Sequence, residues 1–302
     1  MRQRLAILCA GQGKQHGGMF DLARTAAGMS SCIDAWSLPV DADPFANRNA
    51  QPLVVGAACA IWQALQPRLP HPHIVAGYSV GEVAALFVAG VIASADAVAL
   101  ARTRAALMDA CIDPRRPQGL AAISGLPLAV LKSLIAGVAA STAIYIAIDN
   151  GEDQLIVGGL SVALEDLRTA VEAKGGRMQR LPVSVASHTA LMAGAVAPLG
   201  LAIAAMRTAM PDTRFLTGVS GTVVTDAPAA MQGLLAQTTA TVRWSACMDA
   251  IAEAGATVAL EIGPGTGLTR MLSVRHPHIT CRAVDDFRSL DGIVGWITQL
   301  AD

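Results

Sequence analysis

Residues 74–90, IVAGYSVGEVAALFVAG, set one serine, Ser79, between two glycines, with an apolar run on either side. The run before it is short and apolar, as a buried strand is, and the run after it is long enough for a helix. A strand ending at Gly77, a turn through Tyr78 and Ser79, and a helix starting between Val80 and Glu82 give the context that a G-x-S-x-G nucleophile elbow requires. Gly77 and Gly81 permit the sharp turn. A serine held there stands at the carboxyl edge of a sheet, where the positive end of the following helix can stabilise a developing oxyanion. The chemistry that suits it is acyl transfer, and the competing reading is an ordinary glycine-rich helix entry.

Outward from this stretch, LAILCAG (5–11), QPLVVGAACAIWQAL (51–65), HIVAGYS (73–79) and VGEVAALFVAGVIA (80–93) alternate strand-like and helical segments. That alternation predicts an α/β fold with a mostly parallel sheet. Charge and proline gather in CIDPRRPQG (111–119), which reads as a hinge. Beyond it come GLAAISGL, a helix, AIYIAID (143–149), QLIVGGL, the helix ALEDLRTAVEAKGG and MQRLPVSV (178–185), a β-α-β-β-α-β order that is the ferredoxin-like pattern. The expected organisation is a large α/β subdomain over 1–117, a small ferredoxin-like insert over 118–182 and the remainder of the large subdomain over 183–302.

Composition limits the functions this framework can carry. Of the 302 residues, 53% are apolar and 15% charged, which predicts a globular chain with ample core. The formal net charge of -1 points to no polyanion, so nucleic acid is not expected as a partner. Six widely spaced cysteines without a CxxC pair predict free thiols in a reducing cytoplasm, not a zinc site or a disulfide framework. MRQRLAILCAGQG has too short an apolar run for a signal peptide and reads as a first strand. TALMAGAVAPLGLAIAAM (189–206) is uncharged, but its alanine, glycine and internal proline suit a helix of a soluble protein better than a membrane span.

A serine nucleophile needs a base. Four of the six histidines lie in two His-Pro-His units, 71–73 and 276–278. Proline turns beside strands explain that spelling without a metal, and no metal is expected. His188, in LPVSVASHTALM (181–192), follows a strand-like run and Ser187, a candidate N-cap, and opens an apolar helix. It suits a general base, or else a satisfied structural histidine at a helix start. In DAVALARTRAALMDA (96–110), helical spacing puts Arg104 on the apolar arc with Leu100, Leu107 and Met108 and puts Arg102 on the opposite side with Asp109. A guanidinium facing inward needs an anion, either a carboxylate of a ligand or an internal acid.

Two glycine-rich loops remain. Gly11-Gln12-Gly13, after the first strand, could turn backbone N–H groups toward an anion. EIGPGTGL (261–268) spells the loop that cradles S-adenosylmethionine in methyltransferases. Such a loop normally opens its nucleotide-binding sheet, and the 35 residues after Gly267 are too few to complete one.

GQGKQ (11–15), GYSVGE (77–82), RAALM (104–108), LPVSVASHTALM (181–192), QTTATVRW (237–244) and EIGPGTGL (261–268), in this order, resemble the malonyl-CoA:acyl carrier protein transacylase family over nearly the entire chain. The resemblance implies an α/β-hydrolase-like large subdomain with a ferredoxin-like insert forming one wall of the cleft. It implies that Ser79 attacks the thioester of malonyl-CoA, that His188 takes its proton, and that a carrier-protein thiol on a phosphopantetheine-type arm then captures the acyl group. Backbone N–H groups of Gln12 and Val80 would form the oxyanion hole, Arg104 would hold the malonyl carboxylate, and the main-chain carbonyl of Gln237 would orient His188; no bound cofactor is implied. Two positions depart from the family pattern: Tyr78 stands where histidine is usual, and Ala105 where glycine is usual. Tyr78 and the compact length look most like the transacylase (epsilon) subunit of bacterial malonate decarboxylase, with the other decarboxylase subunits as further partners. The alternatives are a transacylase of fatty-acid or polyketide synthesis, a serine thioesterase or esterase, and a non-catalytic interaction subunit.

Overall fold

The computed structural model describes residues 4–138 and 144–300. Within them, eleven strands form two sheets: β1 (Leu5–Cys9), β2 (Ile74–Gly77), β3 (Gln118–Ser124), β4 (Ile144–Asp149), β5 (Gln154–Leu160), β6 (Arg177–Arg180), β7 (Arg214–Leu216), β8 (Val223–Val224), β9 (Val242–Arg243), β10 (Val258–Ile262) and β11 (Thr280–Ala283). The chain is a mixed α/β protein. Six strands in the order β11-β10-β1-β2-β7-β8 make a sheet that is parallel except for its last pair. The other sheet runs β6-β3-β5-β4-β9, antiparallel apart from the short β4/β9 pairing.

β1 shows how apolar strands become the centre of such a sheet. All five of its residues are buried, and they divide by the two-residue period of a strand. Leu5, Ile7 and Cys9 face the core beneath the helices Asn47–Leu65 and Gly81–Val88, while Ala6 and Leu8 face the opposite core, which holds Trp244, Met248 and Leu272. β10 repeats the division, with Val258, Leu260 and Ile262 on the first face and Ala259 on the second. A strand buried on both faces reads as a continuous apolar run, which is why LAILC shows no polar alternation. Each fully buried Leu or Ile adds about 1.5–3 kcal/mol. The antiparallel sheet has its own core with the helices Leu128–Val138 and Ser161–Ala173, built on Leu131, Leu155, Val157, Leu164, Leu167 and Val171.

Several expectations are corrected. MQRLPVSV is a strand only as far as Arg180; Pro182 lacks an N–H to donate, and 181–187 crosses irregularly toward the large sheet. VGEVAALFVAGVIA is not one helix, because Gly90 at φ 75° ends the first and a new one begins at Ser94. Ser187 caps no helix: Thr189 is the N-cap of the short turn Ala190–Met192, its hydroxyl accepting from the N–H of Leu191. The helix Ala193–Ala204 buries only Ala195 and Leu199, and no helix among the described residues is long and apolar enough to cross a membrane. Ala143, the first residue of the expected strand AIYIAID, lies outside the described residues.

β1 and β2 are neighbours with Cys9 opposite Gly77, so the loop after β1 and the turn after β2 emerge side by side. β1 also pairs with β10 on its other side, so the chain reverses its direction of travel across the sheet here. Ligand crevices of open α/β sheets form at such carboxyl ends. The turn fits only because two residues lack Cβ: at Gly81 it would stand 2.2 Å from the Cys9 carbonyl oxygen, and at Gly77 2.2 Å from the Glu82 nitrogen. We therefore expect Gly81→Ala to lose about 1–3 kcal/mol or more of unfolding free energy in urea titration. Gly137→Ala, in the exposed end of a helix with nothing within 4 Å, should be neutral or gain up to about 1 kcal/mol.

Candidate active site

The turn after β2 is wound so that only one conformation fits. The N–H of Tyr78 donates to the carbonyl of Cys9 (3.0 Å), that of Gly81 to Tyr78 (2.9 Å) and that of Glu82 to Ser79 (3.0 Å). Ser79 between them has φ 55°, a left-handed conformation that costs a non-glycine residue about 1–2 kcal/mol. Ser79 lines a cavity of about 120 Å³. The hydroxyl meets His188 at 2.7 Å, Oγ to Nε2, across 109 positions of sequence.

His188 is held from three directions. Its backbone is left-handed at φ 62°, its N–H donates to the carbonyl of Thr238 (3.1 Å), and its Nδ1 donates to the main-chain carbonyl of Gln237 (2.5 Å). A proton fixed on Nδ1 leaves the Nε2 lone pair facing Ser79, the tautomer a general base needs. Burial, together with the nearby charge of Arg104, pushes the imidazole down to about 3, against the opposing pull of the Gln237 carbonyl. The ring is therefore neutral at any ordinary pH.

Arg104 is 1% exposed, as the helical spacing required, on the helix Ser94–Asp109. Nη1 donates to Oε1 of Gln51 (2.6 Å), while Nε and Nη2 have no partner among the described residues. Gln51 is steadied in turn by Asn47, one turn earlier on its helix (2.8 Å), and Asn47 by Asp109 (2.8 Å). The internal acid weighed as a partner exists, yet among the described residues it forms no ion pair with Arg104. Glu82 is fully buried and near enough for its charge to be felt. Burial lowers Arg104 to about 10 and raises Glu82 to about 8. The sequence reading passed over Glu82, although a lone carboxylate three residues beyond Ser79 in an apolar helix is a visible signal.

Gln12 lines the same cavity as Ser79 and Arg104. The backbone N–H groups of Gln12 and Val80 have no acceptor among the described residues. Two free donors beside a nucleophile are what an oxyanion hole needs. The remaining wall is largely apolar, with Met108, Leu120, Ile156 and Val185 from the helix, the antiparallel sheet and the irregular crossing segment. Tyr78 also lines it; its ring stands edge-on to Trp244 at 5.4 Å, and a Cβ on Gly11 would touch it at 2.9 Å.

Other sequence candidates lie elsewhere. His73 and His276 stand just ahead of β2 and β11, where proline turns were expected. Carboxylates accompany these units in space: Asp212 lies 3.7 Å from His71, and Asp249 lies 2.9 Å from His276 and also binds Arg275. Glu261, in β10 just ahead of the loop that spells a nucleotide cradle, is turned onto the following helix Gly267–Arg275, where Oε2 accepts from the N–H and hydroxyl of Thr269 (2.8 and 3.0 Å). Facing inward, it is not available to a ribose. The geometry at His188 has a direct check: its imidazole NMR signals should hold their neutral positions from about pH 7.5 down to about pH 5. A midpoint near the ordinary histidine value would contradict the buried pair.

Residues 47–281 match the family model described as the acyl transferase domain. The chain is 35% identical over 303 residues to the malonyl CoA-acyl carrier protein transacylase of Mycobacterium tuberculosis, covering 95% of this chain and 98% of that one. It is 31% identical to the Escherichia coli K12 protein of the same name, over 89% and 93% of the two chains. Among solved structures, acyl-carrier-protein S-malonyltransferase from Burkholderia pseudomallei superposes with a TM-score of 0.90 at 29% identity, covering 97% and 100% of the chains. A holo complex of a type II PKS acyl-carrier protein with its malonyl-transacylase gives 0.88 at 28%, over 97% and 99%. With a strained serine and an incompletely partnered arginine on one cavity, a buried neutral histidine bonded to that serine, and agreement along nearly its whole length, the chain belongs to the acyl transferase domain family.

Proposed function

We propose that the protein is a malonyl-CoA:acyl carrier protein S-malonyltransferase working through a malonyl-serine intermediate. The observation that carries this reading is the placement of Arg104, whose unpartnered Nε and Nη2 share one cavity with Ser79. A dicarboxylic acyl group presents a thioester to the serine and a free carboxylate to the guanidinium. A thioesterase or esterase for ordinary acyl chains has no use for that cation, and a non-catalytic subunit has none for the hydrogen-bonded pair.

The steps follow from the contacts. Ser79 Oγ attacks the thioester carbonyl while its proton passes to His188 Nε2, 2.7 Å away. The oxyanion takes hydrogen bonds from the N–H groups of Gln12 and Val80, each worth about two to three powers of ten in rate. Collapse breaks the C–S bond, and the coenzyme A sulfur leaves with the proton from His188. The thiol of the carrier's phosphopantetheine-type arm then gives its proton to His188 and attacks the ester, and Ser79 recovers the proton as the thioester re-forms. No bound cofactor or metal has a part in this reading.

The acceptor we favour is an acyl carrier protein of fatty-acid or polyketide synthesis, because the similar proteins carry acyl carrier protein in their names and one is complexed with a polyketide carrier. The malonate decarboxylase role is a second reading, with the decarboxylase carrier and its companion subunits as partners. It rests on Tyr78, and the edge-on contact with Trp244 supplies a packing reason for that residue as well. In the same reading the large sheet is hydrolase-like, the insert over 118–182 is a ferredoxin-like subdomain walling the cleft, and the flanking segments 1–117 and 183–302 form one subdomain. The cytoplasm is the compartment we assign, in keeping with six free cysteines.

Mixed with malonyl-CoA, the protein should gain a malonyl mass on Ser79 that persists until holo carrier is added, and Ser79→Ala should gain none. Arg104→Ala should lower malonyl labelling at least about tenfold while leaving acetyl labelling from acetyl-CoA equal or better; equal losses would remove Arg104 from its role. Competition between a holo acyl carrier protein and a decarboxylase carrier subunit for the malonyl-enzyme separates the two acceptors by their transfer rates.

A further inference from the structure

Glu82 lies behind the reacting pair rather than in the cavity. It sits in the first turn of the helix Gly81–Val88 and is fully buried. Its Oε2 accepts from the backbone N–H of Gly218 (3.0 Å) and from the side-chain amide of Gln237 (2.6 Å). Gln237 is the residue whose main-chain carbonyl receives Nδ1–H of His188. The side chain of Gln237 is thus tied to an acid three residues from the nucleophile, while its backbone holds the base.

Among the described residues two titratable groups act on Glu82 or feel its charge: Arg104, from the helix Ser94–Asp109, and the thiol of Cys247, from the helix Trp244–Glu253, which burial pushes up and keeps uncharged. Arg104 also acts on His188. When Ser79 gives up its proton, His188 becomes an imidazolium beside that guanidinium, and two cations in a dry site repel. An anion near both relieves the repulsion.

We infer that Glu82 is a positioning residue for acyl transfer: through Gln237 it sets the carbonyl that orients His188, and its negative charge balances Arg104 while His188 is protonated. The inference rests on the acyl-transfer reading above. Burial raises Glu82 to about 8, against which the Gly218 N–H, the Arg104 charge and the side chains of Thr217 and Gln237 pull it down. The effective form is the carboxylate, which prevails above that value. Acylation of Ser79 should accordingly run slowly at neutral pH and climb through the region of pH 8.

The test is the single-turnover rate of Ser79 acylation, by rapid quench and intact mass, across pH, for wild type, E82Q and Q237M. Acetyl-CoA is used beside malonyl-CoA, so that effects on carboxylate binding at Arg104 drop out. E82Q keeps the volume and loses the charge; with both donors it should abolish the climb and run about tenfold or more slower above it, one pK unit of lost imidazolium stabilisation being a factor of ten. Q237M, which cuts the tie but keeps the carbonyl, should be slower at every pH and retain the climb. A merely structural Glu82 would give E82Q a uniform loss with an unchanged pH profile, and that result overturns the inference, as does a wild-type rate in E82Q. Wild type that acquires no acyl group at all would remove the acyl-transfer reading, and the role of Glu82 with it.

Discussion

Backbone lies directly on backbone where the turn after β2 meets the end of β1. Gly81 comes so near that a Cβ would stand 2.2 Å and 2.6 Å from the carbonyl oxygens of Cys9 and Ala10. This contact lets Ser79 leave the sheet in a left-handed turn without moving β1, and it starts the helix Gly81–Val88 directly beneath the serine. The loop carrying Gln12 and the turn carrying Ser79 are thereby drawn to one cavity. A side chain at Gly77 or Gly81 would push the strand ends apart and take the free N–H groups from Ser79 together with the turn.

Around that turn the molecule excludes water from three ionisable groups and answers each differently. His188 is kept neutral and fixed by backbone carbonyls, so no acid is needed to choose its tautomer. Arg104 keeps its charge, but among the described residues only one of its nitrogens is hydrogen-bonded, which leaves the rest of the fork free on the cavity it lines. Glu82 is bound by donors yet too buried to ionise easily. Burial strengthens each interaction and makes each unmatched group costly, so such a cluster works against stability.

The pieces legible in the sequence were those whose physics is local. The G-x-S-x-G turn, the buried run of β1 and the inward face of the helix bearing Arg104 depend on neighbours a few residues away, and all three stand in the structure. Where the outcome depended on distant contacts, the pattern misled. VSV looks like strand, but with Pro182 ahead of it the segment runs past the small sheet to carry His188 to Ser79. Ser187 looks like a cap, but the turn that follows draws its cap from Thr189. Glu82 marks only a helix start in the sequence, and its bonds to the distant Gly218 and Gln237 come from the tertiary structure.

By itself the sequence determined the α/β alternation, the elbow serine and an arginine that had to face inward, because strand period, helical period and the steric demand of the turn are all properties of short stretches. Only the tertiary structure decided that His188 is neutral and paired with Ser79, that Arg104 has two nitrogens to spare, and that Glu82 belongs to the site. Protonation and free hydrogen-bonding capacity depend on which groups are dehydrated together. That is set by segments 53 to 155 residues apart, and no single stretch contains it.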